Sequence, residues 1–483
     1  MLRLTLIAAA IAWLASGCTL APKYAQPASP VPAGYPADGV YAAQAAQNAS
    51  ATPAADVGWR DFFVDARLQQ LIDIALRNNR DLRVAVLNVQ AAQAQYRIAR
   101  AGLLPSVSAQ ADQTKQRTPR NLAIANQTIQ NSYTVGLNAS WELDLFGRVQ
   151  SLKDQALATY FATAYARKAA EISLVGQVAT QYLQVLQADD LLAVTRQTLK
   201  SAGDSFGIVK LQFDNGTASE LDLSQSQSVL ETAAANLQAQ ERARAQAVNA
   251  LALLLGEPVP DDLPEGQPLA RQPMLTDLPA GLPSDLLLRR PDIMEAEQNL
   301  VAANANIGAA RAAFFPSISL TGSFGTLSPS LGGLFKPGSA AWSFAPTITL
   351  PIFSGGQNVA NLDLANVSKR IEVARYEKTI QSAFRDVADG LAARGTFDQQ
   401  IAALERDTAA QQRRLDLSTL RYRQGVDGYL NVLTAQQDLY AAQQTLVSAR
   451  TQRLANLVSL YQALGGGWIE KTGDAPRSVD ASS

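Results

Sequence analysis

The sequence predicts a mixed fold of long α-helices and membrane-spanning β-strands with an internal two-fold repeat, and three observations carry that expectation. Residues 131–146 read NSYTVGLNASWELDLF, with every odd position from Tyr133 to Leu145 apolar and every even position from Ser132 to Asp144 polar or Gly. Strict alternation puts the two sets on opposite faces of a strand, and this strand exceeds the about 9–11 residues that cross a bilayer. Second, DLRVAVLNVQAAQAQYRIARAGLLPSVS from Asp81 aligns without gaps with DIMEAEQNLVAANANIGAARAAFFPSIS from Asp292, and FDNGTASELDLSQSQ from Phe213 aligns with YRQGVDGYLNVLTAQ from Tyr422. Third, residues 148–213 and 357–422 each read as one helix, long enough at 1.5 Å per residue to span about 100 Å.

The chain has 483 residues, a net charge of −1 and 17% charged residues, so no global field points to nucleic acid. It has no histidine and one cysteine, which removes His-dependent nucleophiles, His-ligated metals and an intrachain disulfide. The expectation is a protein that is not an enzyme and holds no metal or cofactor. The Gly-rich SGGQN at 354–358 reads as a strand-to-helix turn. No run after residue 17 is long and apolar enough for a transmembrane helix.

The elements follow in order. Residues 1–17 have a basic Arg3, an apolar run over 4–14 and small residues at Ala15-Ser16-Gly17, the pattern of a signal peptide. Cys18 follows directly and is similar to the acylated cysteine of a bacterial lipobox, with Leu14 one place further from it than usual. Residues 18–65 are a lipidated tether, rich in Ala and Pro over 21–57, and an equatorial segment. The first repeat, 66–256, comprises an approach helix (about 66–102), strands at about 104–116 and 131–146, a long helix ending at Gly216 and a return helix over about 218–255. After an inter-repeat segment, 257–283, the second repeat, 284–465, has the same order. Its approach helix is about 284–313, its strands are about 316–327 and 342–353, and its long helix ends at Gly425. Its return helix is about 427–464, and the tail is 466–483. The return helices carry matching seven-residue spacings, Leu223, Leu230, Leu237, Arg244, Leu251 against Val432, Leu439, Leu446, Arg453, Leu460, the spacing of a packed helix seam. In the third strand Ile318, Leu320 and Phe324 share a face; in the fourth Trp342, Phe344, Ile348, Leu350 and Ile352 do.

Four strands cannot close a membrane barrel, since about eight is the smallest number that does and lipid tolerates no open edge. The strands must therefore be pooled with those of other copies, and three copies give twelve. The polar face of the second strand, with Asn138, Ser140, Glu142 and Asp144, would line a water-filled lumen.

WELDLFGR (141–148), LLLRRPDI (286–293), FFPSISLTGSFG (314–325) and ALGGGW (463–468) resemble the outer membrane factor, or TolC-like, family, and within it the OprM- and NodT-like lipoproteins of resistance-nodulation-division efflux systems. The resemblance covers nearly the whole mature chain. It implies a homotrimer with a 12-stranded β-barrel in the outer membrane continued by a 12-helix α-barrel through the periplasm. It also implies an equatorial belt, for which 40–65, 257–283 and 466–483 are the candidates. The implied function is a passive exit duct for drugs or other small molecules, lipid-anchored at Cys18. A periplasmic adaptor would dock the hairpin tips at Gly216, Thr217, Gly425 and Val426, and an inner-membrane pump would supply the energy. The channel of a type I protein-secretion system uses the same fold and is the alternative.

The resemblance further implies a periplasmic gate at the start of the return helices. Asp222 matches an acidic gate position, Leu430 an apolar constriction and Tyr422 a gate aromatic. The family often has Asp where Thr434 stands here, and TolC-like members have Arg at Asp427 and Asp at Asn431, so their inter-helix salt links do not transfer. Asp222 and Asp427 also lie at helix starts, where a carboxylate complements the positive helix end; that reading stands beside the gate reading.

Overall fold

The computed structural model describes residues 19–36, 38–44, 53–117, 119, 129–275 and 283–474. The expected signal peptide, Cys18, most of the first strand-to-strand loop and the end of the tail lie outside these. In chain order the elements are α1 (Trp59–Phe62), α2 (Ala66–Asn78), α3 (Arg80–Ala101), β1 (Ser106–Arg117), β2 (Ile129–Leu143), α4 (Arg148–Asp214) and α5 (Glu220–Leu255). Then come α6 (Pro283–Arg289), α7 (Pro291–Ala312), β3 (Ser317–Ser328), β4 (Ala340–Thr349), α8 (Gln357–Arg423) and α9 (Tyr429–Ala463). No described helix is long and apolar enough to cross a membrane. Two compact units emerge: one holds the chain up to Ala28, Asn88–Ala164 and Glu295–Glu377; the other holds Ser29–Leu87, Tyr165–Met294 and Lys378–Ser483.

The first unit contains a four-stranded antiparallel sheet in the order β1-β2-β3-β4. Its registers align the apolar face across all four strands. Ala109 lies opposite Leu137, Leu137 opposite Phe324, and Phe324 opposite Trp342; six residues along β2, Leu143, Ile318 and Ile348 form a matching row. The other face is mostly polar, with rows such as Ser108, Asn138, Ser323 and Ser343, although Leu327 lies on it opposite Thr134. There Asn138 donates to Gln110 Oε1 at 2.7 Å and the Ser323 and Ser343 hydroxyls lie 2.8 Å apart. Leu137, Phe324, Trp342, Phe344 and Ile348 are exposed, as befits a face with no covering layer among the described residues. At the β2–β3 seam Gly136 faces Gly325, and a Cβ on Gly325 would come 2.3 Å from Val135 O, so only glycine permits the approach.

Two strand ends fall short of the expectation. β2 stops at Leu143, and Asp144 is a cap rather than a lumen residue: its Oδ2 accepts from the Gln150 backbone N–H at 2.7 Å in the first turn of α4. Glu142, still in the strand, is paired with Arg148 at 2.6 Å. β4 stops at Thr349, ahead of Pro351, so Leu350 and Ile352 continue the pattern outside the ladder. An apolar stripe marks a face, but proline and a capping carboxylate terminate pairing.

The expected tether is, where described, docked. Along α7, Arg311 donates to Leu20 O (3.2 Å), Asn304 donates to Pro22 O (2.7 Å), and Glu297 accepts from the Tyr24 hydroxyl (3.0 Å). Gln26 donates to the Tyr376 hydroxyl of α8 at 2.9 Å. The α7 partners recur every seven residues, and Gly308 between them lets Ala21 approach: a Cβ there would meet Ala21 N at 2.8 Å. Burial raises the Tyr24 hydroxyl pKa, and the Glu297 charge adds to it.

In the second unit each expected approach helix is broken once. Asn79 separates α2 from α3 in an extended conformation (φ −61°, ψ 130°) and accepts from Leu82 N at 2.9 Å as the cap of α3. Arg290 separates α6 from α7 because the residue before a proline, here Pro291, disfavours the helical region. The two breaks have equivalent partners: Asn79 donates to Leu254 O (2.9 Å) and Arg290 to Ala463 O (3.0 Å), each at the end of a return helix. Arg290 also pairs with Asp292 at 2.6 Å, so the RRPD and ALGGGW stretches form one junction. Repeat-equivalent ion pairs staple each hairpin, Arg244 to Asp189 and Arg453 to Asp398.

The segments expected at the equator meet in this unit. Trp59 N–H donates to Ile469 O (2.9 Å), Phe63 bridges Met274, and Arg60 pairs with both Asp73 (2.6 Å) and Glu470 (2.8 Å). Phe62 stacks on Tyr461 with ring centroids 4.1 Å apart. Asp65, 2% exposed, accepts from Arg67 N, Gln267 N, Gln272 Nε2 and the Tyr182 hydroxyl. A buried carboxylate is tolerable only when its lone pairs are filled in this way.

Candidate functional site

Both hairpin tips are built from the same turn. Gly216 (φ 73°) and Gly425 (φ 72°) take the left-handed conformation that ends α4 and α8. In each, the next residue reaches back five positions, Thr217 N to Gln212 O (2.8 Å) and Val426 N to Arg421 O (3.0 Å), satisfying carbonyls that the helix end leaves free. All four expected docking residues, Gly216, Thr217, Gly425 and Val426, are exposed.

Beyond the turn the tips differ. α5 begins with a capping box: Ser219 Oγ accepts from Asp222 N (3.1 Å) while Asp222 Oδ2 accepts from Ser219 N (3.3 Å) and from its hydroxyl (2.7 Å). The helix-start reading of Asp222 is therefore realised. Asp427 is not a cap. It precedes the N-cap, Gly428, which offers no side chain, and it pairs with Arg421 at 2.6 Å across the turn. Arg421 and, more weakly, Asn431 hold the Asp427 carboxyl below the usual carboxylate range.

Between the tips lies a small apolar cluster. Val209, Tyr429, Val432 and Leu433 are buried, with Leu223, Leu415 and Tyr422 packed around them. The Tyr422 hydroxyl donates to Gln212 Oε1 at 2.6 Å, and its ring lies 5.1 Å from that of Tyr429. Burial pushes the Tyr429 hydroxyl up to about 12, with smaller contributions from Tyr422 and Asp222. Burial raises Tyr422 as well, followed by the Asp222 charge. Two candidate gate residues from different repeats, Asp222 and Tyr422, are thus electrostatic neighbours. Leu430 is 62% exposed. Thr434 donates to Leu430 O at 3.0 Å, and Asn431 lies on the exposed surface.

Sequence reasoning missed Ser219, Gln212, Arg421 and Tyr429. Ser219 was detectable, since Ser-x-x-Asp opening a helix is a capping-box signature. Arg421 could have been paired with Asp427 from their positions either side of the glycine. Gln212 and Tyr429 could not, because their partners lie in the other repeat.

The family model described as outer membrane efflux protein matches the chain twice, over residues 71–257 and 282–466. The probable efflux pump outer membrane protein TtgC of Pseudomonas putida is 48% identical over 479 residues, 98% of each chain. The outer membrane protein OprJ of Pseudomonas aeruginosa is 46% identical over 465 residues, 95% of each. Among solved structures, the open state of the MtrE outer membrane channel of Neisseria gonorrhoeae superposes with a TM-score of 0.83 at 44% identity, covering 95% of this chain and 100% of that one. A mostly helical chain with one four-stranded, two-faced sheet, similar over its whole length to such proteins, belongs to the outer membrane efflux protein family and is an outer-membrane exit duct for efflux.

Proposed function

We propose that three copies pool their sheets into a 12-stranded barrel, continue it as a 12-helix barrel, and passively conduct drugs or other small molecules delivered by a periplasmic adaptor and an inner-membrane resistance-nodulation-division pump. The observation that carries this reading is the sheet itself. Its one apolar face runs unbroken across four strands, its other face is mostly polar, and both edges, β1 and β4, are unpaired among the described residues. Four is an even number, so β4 of one copy meets β1 of the next antiparallel and the ring closes without a mismatched pair. The apolar face meets lipid, and Asn138, Ser140 and Glu142 look into the lumen.

Cys18 carries the lipid. Its neighbour Thr19 is within 3.4 Å of Ser151 and Leu20 is held by Arg311, in the last turn of α7 and six residues before β3, which supports delivery of an acyl anchor at the membrane end. The hairpin tips with Gly216, Thr217, Gly425 and Val426 receive the adaptor, and Asp222, Tyr422, Asp427, Leu430, Asn431 and Thr434 form the gate. In a trimer each of these recurs three times about the axis.

The test joins mass and conductance. The purified protein should have the mass of three chains and form channels in planar bilayers, and it should restore drug efflux to a host lacking its own duct. Leu137→Arg should disable insertion, at about 2–4 kcal/mol if it lies near the midplane, whereas Asn138→Arg should insert and alter ion selectivity. Equal tolerance of both would overturn the assigned faces. Restored protein secretion without drug efflux would favour the type I secretion duct.

A further inference from the structure

The turn end of the sheet carries a charge pattern that the duct does not use. The β1–β2 register runs without a bulge from Ser106 opposite Ser140 to Arg117 opposite Ile129. Lys115 and Arg117 therefore share the face of Val107, Ala109 and Ala111, not the polar face of Gln110 and Asp112. On that face the apolar band runs from Leu143 to Tyr133, whose hydroxyl accepts from Gln113 at 3.2 Å. The next pairs are Lys115 with Asn131 and Arg117 with Ile129. Six residues from Leu137 to Asn131 rise roughly 20 Å along the strand, or roughly 14 Å along the normal at a 45° tilt. That is about half the hydrocarbon thickness, so the two cations stand where the band ends.

They have no carboxylate partner among the described residues. The sequence places no Asp or Glu between Gln113 and Ser132 or between Gly325 and Ala341, and it adds Lys336 in the β3–β4 turn. The whole chain is at −1, so this excess is local. The opposite end of the sheet is balanced instead, with Glu142 held by Arg148. Lysine on a sheet edge commonly blunts unwanted pairing. That role does not fit here, because β1 has to pair with the next copy to close the barrel.

We propose that Lys115 and Arg117, supplemented by Lys336, bind the phosphate groups of the phosphorylated lipid in the outward leaflet of the outer membrane. The inference rests on the face assignment of the proposed barrel. Phosphate is the complementary chemistry at that depth: it lies just outside the hydrocarbon, and each basic side chain near an anionic lipid surface strengthens attachment about fivefold. Tyr133, with an apolar ring and a polar tip, supplies the matching interfacial contact.

Full-length trimers in detergent would be titrated with diphosphorylated lipid A and with the same lipid stripped of phosphate, binding being read by native mass spectrometry. The wild type should prefer the phosphorylated lipid by on the order of tenfold or more. Lys115→Gln with Arg117→Gln should reduce the preference by on the order of tenfold, Lys336→Gln should reduce it less, and Lys115→Arg should keep it. Equal binding of both lipids by the wild type, or an unchanged preference in the double variant, overturns the site. Free insertion of Leu137→Arg would instead overturn the face assignment on which the site depends, so the two failures are distinguishable.

Discussion

The two hairpin tips share one turn and are fastened differently. In the first, the fastening is local: Ser219 and Asp222 close a capping box, and no ion pair spans the turn among the described residues. In the second, Gly428 replaces the capping serine, Asn431 replaces the aspartate, and Arg421 with Asp427 ties the end of α8 to the turn. Where the first tip exposes Glu220, the second buries Tyr429 at 3% exposure in the cluster with Val209. Duplication preserved the backbone, since only a left-handed glycine turns the chain there. The side chains diverged because one tip supplies the contact surface on which the other rests.

The largest effect should come from the exposed leucines. Leu221 and Leu430 occupy equivalent positions and are 65% and 62% exposed. If the second tip forms the constriction, Leu430→Ala, alone or with Asp222→Ala, should raise single-channel conductance severalfold and admit vancomycin to cells, and Leu221→Ala should do neither. Equal effects would make the tips equivalent at the axis.

Next is Tyr429. Truncating a buried aromatic costs about 3–5 kcal/mol, so Tyr429→Ala should collapse amide-exchange protection in both tips. Glu220→Ala, on an exposed surface, should stay within about 0.5 kcal/mol. Loss of protection in the second tip alone would show that the first does not lean on it.

The capping box can be removed or transplanted. Ser219→Ala should cost about 1 kcal/mol of local stability. Gly428 has extended dihedrals and open space at its Cβ position, so Gly428→Ser with Asn431→Asp should gain a few tenths of a kcal/mol in the second tip, read as slower exchange. A loss there would mean that Asn431 is needed beside Asp427.

The smallest effect concerns pH. Arg421 lowers the Asp427 carboxyl below its ordinary value. The folded value is the depressed one, so the pair stabilises the second tip above the unfolded value of about 4 and the contribution is lost as pH falls through the folded value. Protection factors at Gly425 to Asn431 should decline on acidification in the wild type and less so in Asp427→Asn. High salt should have the same direction of effect, because the pair is exposed.

Much of this molecule was legible in its sequence. The long helices, expected over 148–213 and 357–422, run over Arg148–Asp214 and Gln357–Arg423. The alternation that placed Leu137, Phe324 and Trp342 on apolar faces fits the observed register. Both follow from local rules: side chains repeat every two residues in a strand and every 3.6 in a helix, and glycine alone readily turns left-handed. What only the tertiary structure decided was partnership. Periodicity shows that Asn304 and Arg311 share a helix stripe, but not that the stripe grips residues 20–22 of a segment that reads as a loose tether. It shows a polar Asp65 at a helix start, but not the four donors that make its burial possible. Hydrogen bonds and buried charges join residues that are up to hundreds of positions apart. Their choice of partner depends on where the whole chain brings polar atoms within about 3 Å, and no local pattern encodes that distance.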